Sequence, residues 1–369
     1  MINKLKNINK TLLMGPGPST VSPNVYRALS TYTVGHLDRR FLDIMDDVKQ
    51  MIRDLFKTNN KLTLPVSGTG TAAMESCFVN MIEKNDKILI PENGYFGKRM
   101  IDMCSRLGAD VDVLSFEWGK PLDIDILKKK LEKNSYKFLA MVHAETSTGV
   151  RNPVEEISSF LNKDTIFIVD AVTSLGTIEL NVDLWGIDAI YSCSQKGLSC
   201  PPGASPVSFS EKAMNKILNR KTKVPNFYLD MQQIIQYLEG EQRTYHHTAP
   251  INSMYAIYQG LLDIHNEGLD NIISRHAEAH NLLVQELNEI GVEMLVSKEF
   301  RLPSLNSVII PKGLDDFQIR SKLINNYNIE IGAGLGPLSG KIWRIGLMGY
   351  SANKNNVNIL INALKDIIS

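Results

Sequence analysis

Apolar residues fall at helical spacing through "DRRFLDIMDDVKQMIRDLF" (38–56): Phe41, Ile44, Met45, Val48, Ile52, Leu55 and Phe56 share one face. The pattern predicts an amphipathic helix laid on a core. The stretch before it, "TLLMGPGPSTVSP" (11–23), is dense in Gly and Pro and reads as an irregular entry loop. The period then changes. "KLTLPV" (61–66) is strand-like and runs into "SGTGTAAMESCFVNMI" (67–82), a Gly/Thr turn that opens a helix. The strand "KILIPE" (87–92), the helix "FGKRMIDMCSRLGA" (96–109) with its glycine stop, and the strand "DVDVLSF" (110–116) follow. Residues 126–134 read as helix, 137–145 as strand, 153–163 as helix, 165–172 as a buried strand and 189–195 as another.

Near-continuous apolar strands alternating with helices indicate an α/β fold with a mainly parallel sheet covered on both faces. Ligands of such sheets bind outside the carboxyl ends of the strands. Past about residue 250 the texture differs. A long helical region (251–290) comes first. "RLPSLNSVIIP", a helix (315–327), "IEIGAGLG", "KIWRIGLMG" and a last helix (353–367) make a smaller α+β unit. The expected division is an N-terminal arm (1–20), a large domain (21–268) and a small C-terminal domain (269–369). The boundary falls inside the long helical stretch, so the two domains are expected to share a helix.

Composition narrows the function. The chain has 369 residues and is 43% hydrophobic, enough for a sizeable core and two domains. Lys plus Arg equals Asp plus Glu at 40 each, so no global field attracts nucleic acid or an anionic membrane. An acidic ligand must be held by local donors. The four cysteines, Cys77, Cys104, Cys193 and Cys200, form no C-x-x-C pair, which suits a reduced protein. No histidine follows Cys193 and Cys200 at zinc-site spacing, and no metal is expected. The basic start "MINKLKNINK" has no apolar core behind it, no run of eighteen apolar residues exists, and "DIIS" is no peroxisomal address. A cytoplasmic, non-membrane protein is the expectation.

Four features gather at strand ends or in the loops beyond them. In "SGTGT", Thr69, Gly70 and Thr71 precede a helix start, where free N–H groups and hydroxyls can cradle a phosphate. A plain capping turn would read the same way. Asp170 closes the apolar run "TIFIVD", where a carboxylate needs a partner: a structural hydrogen bond or a protonated ring nitrogen. Lys196, in "YSCSQKGLS", follows a strand-like run in an almost uncharged stretch. A surface lysine fits there, and so does a shielded amine able to form a Schiff base. Arg344 has apolar flanks in "KIWRIGLMG", where it can clamp a carboxylate or bridge domains. Taken together, these four describe a site for pyridoxal 5'-phosphate.

At these residues the chain resembles the class V pyridoxal-phosphate aminotransferases, most closely the alanine–glyoxylate / serine–pyruvate (serine–glyoxylate) branch. The likeness rests on "GPGPST", "SGTGTAAMES", "HAETSTGV", "VDAVTSLG", "YSCSQKGLSCPPG", "YHHTAP" and "GLGPLSGKIWRIGLMGYSA", in order along nearly the whole chain. It implies a fold-type I transferase with a mainly parallel seven-stranded sheet and a homodimer with cross-subunit sites. It further implies that Lys196 bonds the cofactor, Asp170 pairs with its pyridine nitrogen and Gln195 joins the phosphate shell beside Thr69, Gly70 and Thr71. Thr146 matches a hydroxyl position near the ring oxygen. Tyr245 and Thr248 are expected to reach the phosphate of the neighbouring subunit, and Arg344 to hold the substrate carboxylate. Phe96 occupies the ring-stacking slot, where the best-known members carry tryptophan; its aromatic face is smaller and has no indole N–H.

The activity implied is ping-pong transamination between alanine or serine and glyoxylate or pyruvate. A class V transaminase for 2-aminoethylphosphonate or ureidoglycine is the alternative, with a cysteine desulfurase further off. His36 is a candidate for the pocket mouth. His143 reads equally as a cofactor neighbour or as core, and His246 and His247 as loop and interface residues. Gly332, Gly334 and Gly336 read as a flexible or tightly turned segment before Arg344.

Overall fold

The structure is a computed structural model describing residues 3–239 and 245–368. Two helices follow the entry loop. Helix α1 (Pro23–Leu29) starts with proline in its first turn, and the Ser22 hydroxyl accepts from the Val25 N–H at 3.2 Å. Helix α2 (Arg39–Phe56) is the one its periodicity predicts. Asp38 caps it, and Phe41, Met45, Val48, Ile52, Leu55 and Phe56 are buried on one face.

Seven strands form the main sheet: β1 (Leu62–Gly68), β2 (Lys87–Glu92), β3 (Asp110–Ser115), β4 (Phe138–Val142), β5 (Ile166–Asp170), β6 (Ala189–Tyr191) and β7 (Gly203–Phe209). Their spatial order is β1-β7-β6-β5-β4-β2-β3. All neighbours are parallel except those of β7, which runs antiparallel to both β1 and β6. Consequently β1 points the same way as the parallel strands, and the carboxyl ends of β1, β2, β5 and β6 share one edge.

Alternation along β5 shows why such strands look continuously apolar. Phe167 and Val169 enter one apolar cluster with α2, while Ile166 and Ile168 enter another. The second cluster contains residues of α3 (Gly70–Met81) and α4 (Tyr95–Arg106). A strand buried on both faces has no polar side to show. Helix α5 (Ile124–Lys133) lies on the α2 side, through Leu127.

Several expectations are corrected. Residues 153–163 do not form an α-helix; only a 3₁₀ segment, Val154–Ser159, forms. Pro153 at its start supplies no side-chain cap, and the buried Val154 and Ile157 stand three apart, matching the 3₁₀ repeat. Strand β7, "GASPVSF", carried no apolar pattern to find, yet it is almost wholly buried, with Pro206 opposite Pro65 of β1. The loop 11–23 is not wholly irregular, since Leu12–Leu13 pairs in parallel with Ile329–Glu330. Two more helices follow β7: α6 (Glu211–Leu218) and α7 (Met231–Glu239).

The helical stretch 251–290 is two helices, α8 (Ile251–Glu267) and α9 (Leu269–Glu289), broken at Gly268 with φ +85°. Beyond them, β8 (Leu305–Ile309) and β9 (Gly332–Ala333) flank β10 (Ile342–Gly346) in an antiparallel three-stranded sheet. Helices α10 (Asp316–Tyr327) and α11 (Lys354–Ile368) pack there. Their core includes Leu283, Leu287, Leu323, Trp343, Ile345 and Leu360, and Met14 from the entry loop enters the same cluster. The N-terminal segment therefore adds its apolar residues to the C-terminal layer.

Candidate active site

The strand ends converge on a cavity of about 230 Å³. Gly70, Thr71, Phe96, Asp170, Gln195 and Lys196 all line it. Adjacent strands account for the meeting of Asp170 and Lys196. Asp170 ends β5 in register with Tyr191, the last residue of β6, and the loop beyond Tyr191 carries Gln195 and Lys196. That loop is pinned by the entry segment: the Ser19 hydroxyl donates to the Lys196 carbonyl at 2.7 Å, and the Ser19 N–H to the Gln195 carbonyl at 2.9 Å.

Lys196 is 8% exposed, and its amine donates to the Pro16 carbonyl. Gly17 has φ +111°, and a Cβ there would stand 2.6 Å from the amine nitrogen. Only glycine lets the entry loop come this close. Burial lowers the Lys196 pKa, and the Arg344 and Arg99 charges push it the same way. An amine so placed is closer to the neutral, nucleophilic form than an ordinary lysine.

Asp170 is 2% exposed. Its Oδ1 accepts from the Val172 N–H at 2.8 Å, while Oδ2 is buried and makes no hydrogen bond of ordinary length among the described residues; the buried Tyr191 hydroxyl lies near the carboxyl and opposes the rise in its pKa. Burial pushes the carboxyl up to about 7, and nearby Glu145 adds to the rise. A buried acceptor left in this state is suited to a cationic N–H donor entering the cavity. Gln195 Oε1 is a second buried acceptor without a partner at the same cavity.

Thr69 is the exposed residue before α3; its side chain makes no capping bond. Thr71 is exposed too, and its hydroxyl accepts from Arg99 Nη1 at 3.0 Å. Thr69 is not on the cavity lining, and neither are Thr146 and Arg344. Thr146 is buried, with its hydroxyl against that of Thr173. Arg344, 7% exposed in β10, donates from Nε to the Ala333 carbonyl at 2.7 Å and from Nη1 to the Thr146 carbonyl at 3.2 Å. Burial lowers its pKa to about 10, with Glu145 opposing. The glycines before it permit close backbone packing. A Cβ on Gly332 would meet Pro16 Cδ at 2.3 Å, and one on Gly334 would meet the Leu338 carbonyl oxygen at 2.1 Å. Gly336 has φ +51°.

Tyr245 and Thr248 sit apart from the cavity lining. Both are exposed and bonded to each other, hydroxyl to hydroxyl, at 3.1 Å. His36 lies against Tyr245, ring centroids 5.4 Å apart, and also does not line the cavity. His246 and His247 pair through their Nδ1 atoms at 2.7 Å. Among the described residues no group of three or more His, Cys, Asp or Glu is arranged to hold a metal ion. His143 is fully buried with both ring nitrogens unpartnered, edge-on to Trp185 at 5.3 Å, and burial lowers its pKa to about 3.

Two site residues escaped the sequence reading. Glu145 is fully buried and takes four donors: the Ser147 N–H and hydroxyl, and the N–H groups of Phe96 and Gly97, of which Phe96 lines the cavity. Arg99 lines the cavity three residues after Phe96. That spacing on one helix face was the available signal for it. All four cysteines are buried, and burial pushes every thiol up, Cys193 to about 12. Among the described residues no helix is long and apolar enough to cross a membrane.

A family model described as Aminotransferase class-V matches residues 12–356. The chain is 38% identical to the alanine–glyoxylate aminotransferase of Mus musculus, over 100% of this chain and 90% of that protein. It is 35% identical to the (S)-ureidoglycine–glyoxylate transaminase of Bacillus subtilis, over 96% of this chain and 90% of that protein. Among solved structures, an alanine–glyoxylate aminotransferase from Nostoc sp. superposes with a TM-score of 0.95 at 45% identity, covering 100% of both chains.

Proposed function

This chain belongs to the class V aminotransferases, which are pyridoxal-phosphate-dependent, and from that premise we propose that it moves an amino group between alanine or serine and glyoxylate or pyruvate. The observation that carries the proposal is the buried Asp170 Oδ2, without a hydrogen bond of ordinary length, in one cavity with the shielded Lys196 amine. That pair fits the cofactor: an acceptor for its ring N–H and an amine for its aldehyde. When bound, pyridoxal phosphate supplies an electrophilic carbon for the amine and a ring that takes up the electron pair left when the substrate Cα–H breaks.

The residues divide the remaining work. Lys196 would hold the cofactor through its amine and, once freed, would take the proton from the substrate Cα as base and deliver it as acid to the cofactor's former aldehyde carbon, so that the substrate leaves as the oxo acid. Asp170 keeps the ring nitrogen protonated through Oδ2. Phe96 presents its ring face to the cofactor. Gly70, Thr71 and Gln195 hold the phosphate side, with Thr69 opening that turn. Thr146, buried against Thr173, would offer its hydroxyl toward the ring oxygen. Arg344 takes the substrate carboxylate, and its bonds to the Ala333 and Thr146 carbonyls leave guanidinium donors for a bidentate clamp.

The same reading makes the enzyme a cytoplasmic homodimer. Tyr245 and Thr248, exposed and off their own cavity, would face the phosphate of a second copy. It also keeps residues 21–268 as the cofactor domain and 269–369 as the small domain. The break at Gly268 and the separate C-terminal core support that division.

A ureidoglycine donor is the second reading, favoured by the Bacillus subtilis relative of that name. A desulfurase is disfavoured, because it needs an accessible low-pKa thiol and all four thiols here are buried and raised. Single additions of alanine, serine, glycine, aspartate and ureidoglycine to the yellow holoenzyme test the donor. Bleaching of the visible band by alanine or serine is expected. Bleaching by ureidoglycine alone moves the assignment to the second reading, and no response to any donor removes transamination.

A further inference from the structure

The cavity's lining contains two cations, Lys196 and Arg99. If Lys196 is consumed by its bond to the cofactor, its charge is not available to a phosphate dianion at the far end. Arg344 is turned toward the Ala333 and Thr146 carbonyls and does not line the cavity. Arg99 is differently committed. Its Nη1 donates to the Thr71 hydroxyl at 3.0 Å, beside the first turn of α3. Its guanidinium carbon lies 4.8 Å from the Phe96 ring centroid and 5.4 Å from that of Tyr95. Among the described residues no carboxylate forms a salt bridge with it.

We propose that Arg99 is a phosphate-binding residue of the cofactor site, a role that rests on the cofactor reading above. Two aromatic faces fix the guanidinium without neutralising it. A planar fork with spare N–H groups suits a phosphate monoester. The bond from Arg99 occupies a lone pair of the Thr71 hydroxyl and leaves its proton free, so Arg99 and Thr71 aim donors at one anion. Phe96 then has two duties: one part of its surface meets the cofactor ring, another seats Arg99. The smaller ring in this slot keeps both, since cation–π contact needs an aromatic face and no indole N–H.

The test compares two ligands that differ only by the phosphate. Cofactor-free full-length protein is titrated with pyridoxal phosphate and with pyridoxal, following the visible absorbance of the lysine adduct. Arg99→Gln should weaken pyridoxal phosphate roughly tenfold to a hundredfold and leave pyridoxal within about twofold. Arg99→Lys should recover part of the loss, and it serves as the second variant if Arg99→Gln folds poorly by circular dichroism. Equal weakening of both ligands would reduce Arg99 to a support for Phe96, and unchanged selectivity would remove it from the phosphate. If the wild-type protein itself binds pyridoxal as tightly as its phosphate, the cofactor reading falls and this role with it. If the wild type discriminates and the variants still do, only the role of Arg99 falls.

Discussion

Two buried carboxylates at the carboxyl edge of the sheet have opposite surroundings. Glu145 accepts four hydrogen bonds, from the Ser147 N–H and hydroxyl and from the first N–H groups of α4. Asp170 accepts one of ordinary length, at Oδ1, and leaves Oδ2 buried without one, the Tyr191 hydroxyl being its weaker neighbour. Burial is the main cause raising both pKa values, and for Asp170 the Glu145 charge adds to it. The difference lies in what the fold supplies in return. Glu145 stabilises a helix start and packs against Gly94, where a Cβ would lie 2.3 Å from the Glu145 carboxyl carbon. Asp170 has been given a position without a full set of partners. A fully satisfied buried acid belongs to the framework, whereas a half-satisfied one at a cavity is a place where a ligand completes the hydrogen bonding.

The contrast can be broken in several ways. Lys196→Ala should lower transamination by more than about a thousandfold, because it removes the proton carrier, while cofactor-free protein still melts cooperatively. Turnover within tenfold of wild type would take the lysine out of the chemistry. Asp170→Asn should lower kcat by about a hundredfold or more, since an amide cannot hold a ring nitrogen protonated. An unchanged kcat would leave Asp170 as mere structure. Arg344→Ala should raise KM for both amino and oxo acids by roughly tenfold to a hundredfold. A KM that moves for neither would place the carboxylate clamp elsewhere.

Glu145→Gln should act on stability, costing about 1–3 kcal/mol in denaturant unfolding through its mismatched donors. A large loss of kcat with stability intact would reverse the roles of the two acids. A further effect concerns pH. Asp170 titrates near 3.8 when unfolded and at about 7 when folded, so the folded protein holds the proton more tightly. Its contribution to the cofactor-free protein is therefore fully present below about pH 4 and is lost as pH rises through 7. Asp170→Asn should flatten that decline, measured as melting temperature across pH 4–8. A decline of equal slope in the variant would assign it to other groups.

Three of the candidate site residues were legible because each breaks a local pattern. Asp170 ends an apolar run, Lys196 interrupts an uncharged one, and Arg344 sits between Trp343 and Ile345. The sheet was legible through runs buried on both faces. Strand β7 was not, because its serines, glycine and proline carry no periodicity and owe their burial to neighbours on both sides. The expected helix at 153–163 failed for the opposite reason, a plausible composition with too short an apolar repeat.

By itself the chain determined most of the alternation of strands and helices, the family, and Lys196 as the candidate amine, since each rests on short motifs readable in the order they occur. Tertiary structure alone decided that Gly17 presses on Lys196, that Ser19 holds the Lys196 carbonyl across 177 positions, and that Arg344 meets Thr146 across 198. It also decided that Asp170 Oδ2 makes no hydrogen bond of ordinary length among the described residues and that Arg99 faces Thr71. Contacts between segments so far apart leave no local trace, because the backbone that brings them together is folded by cores in which neither residue takes part.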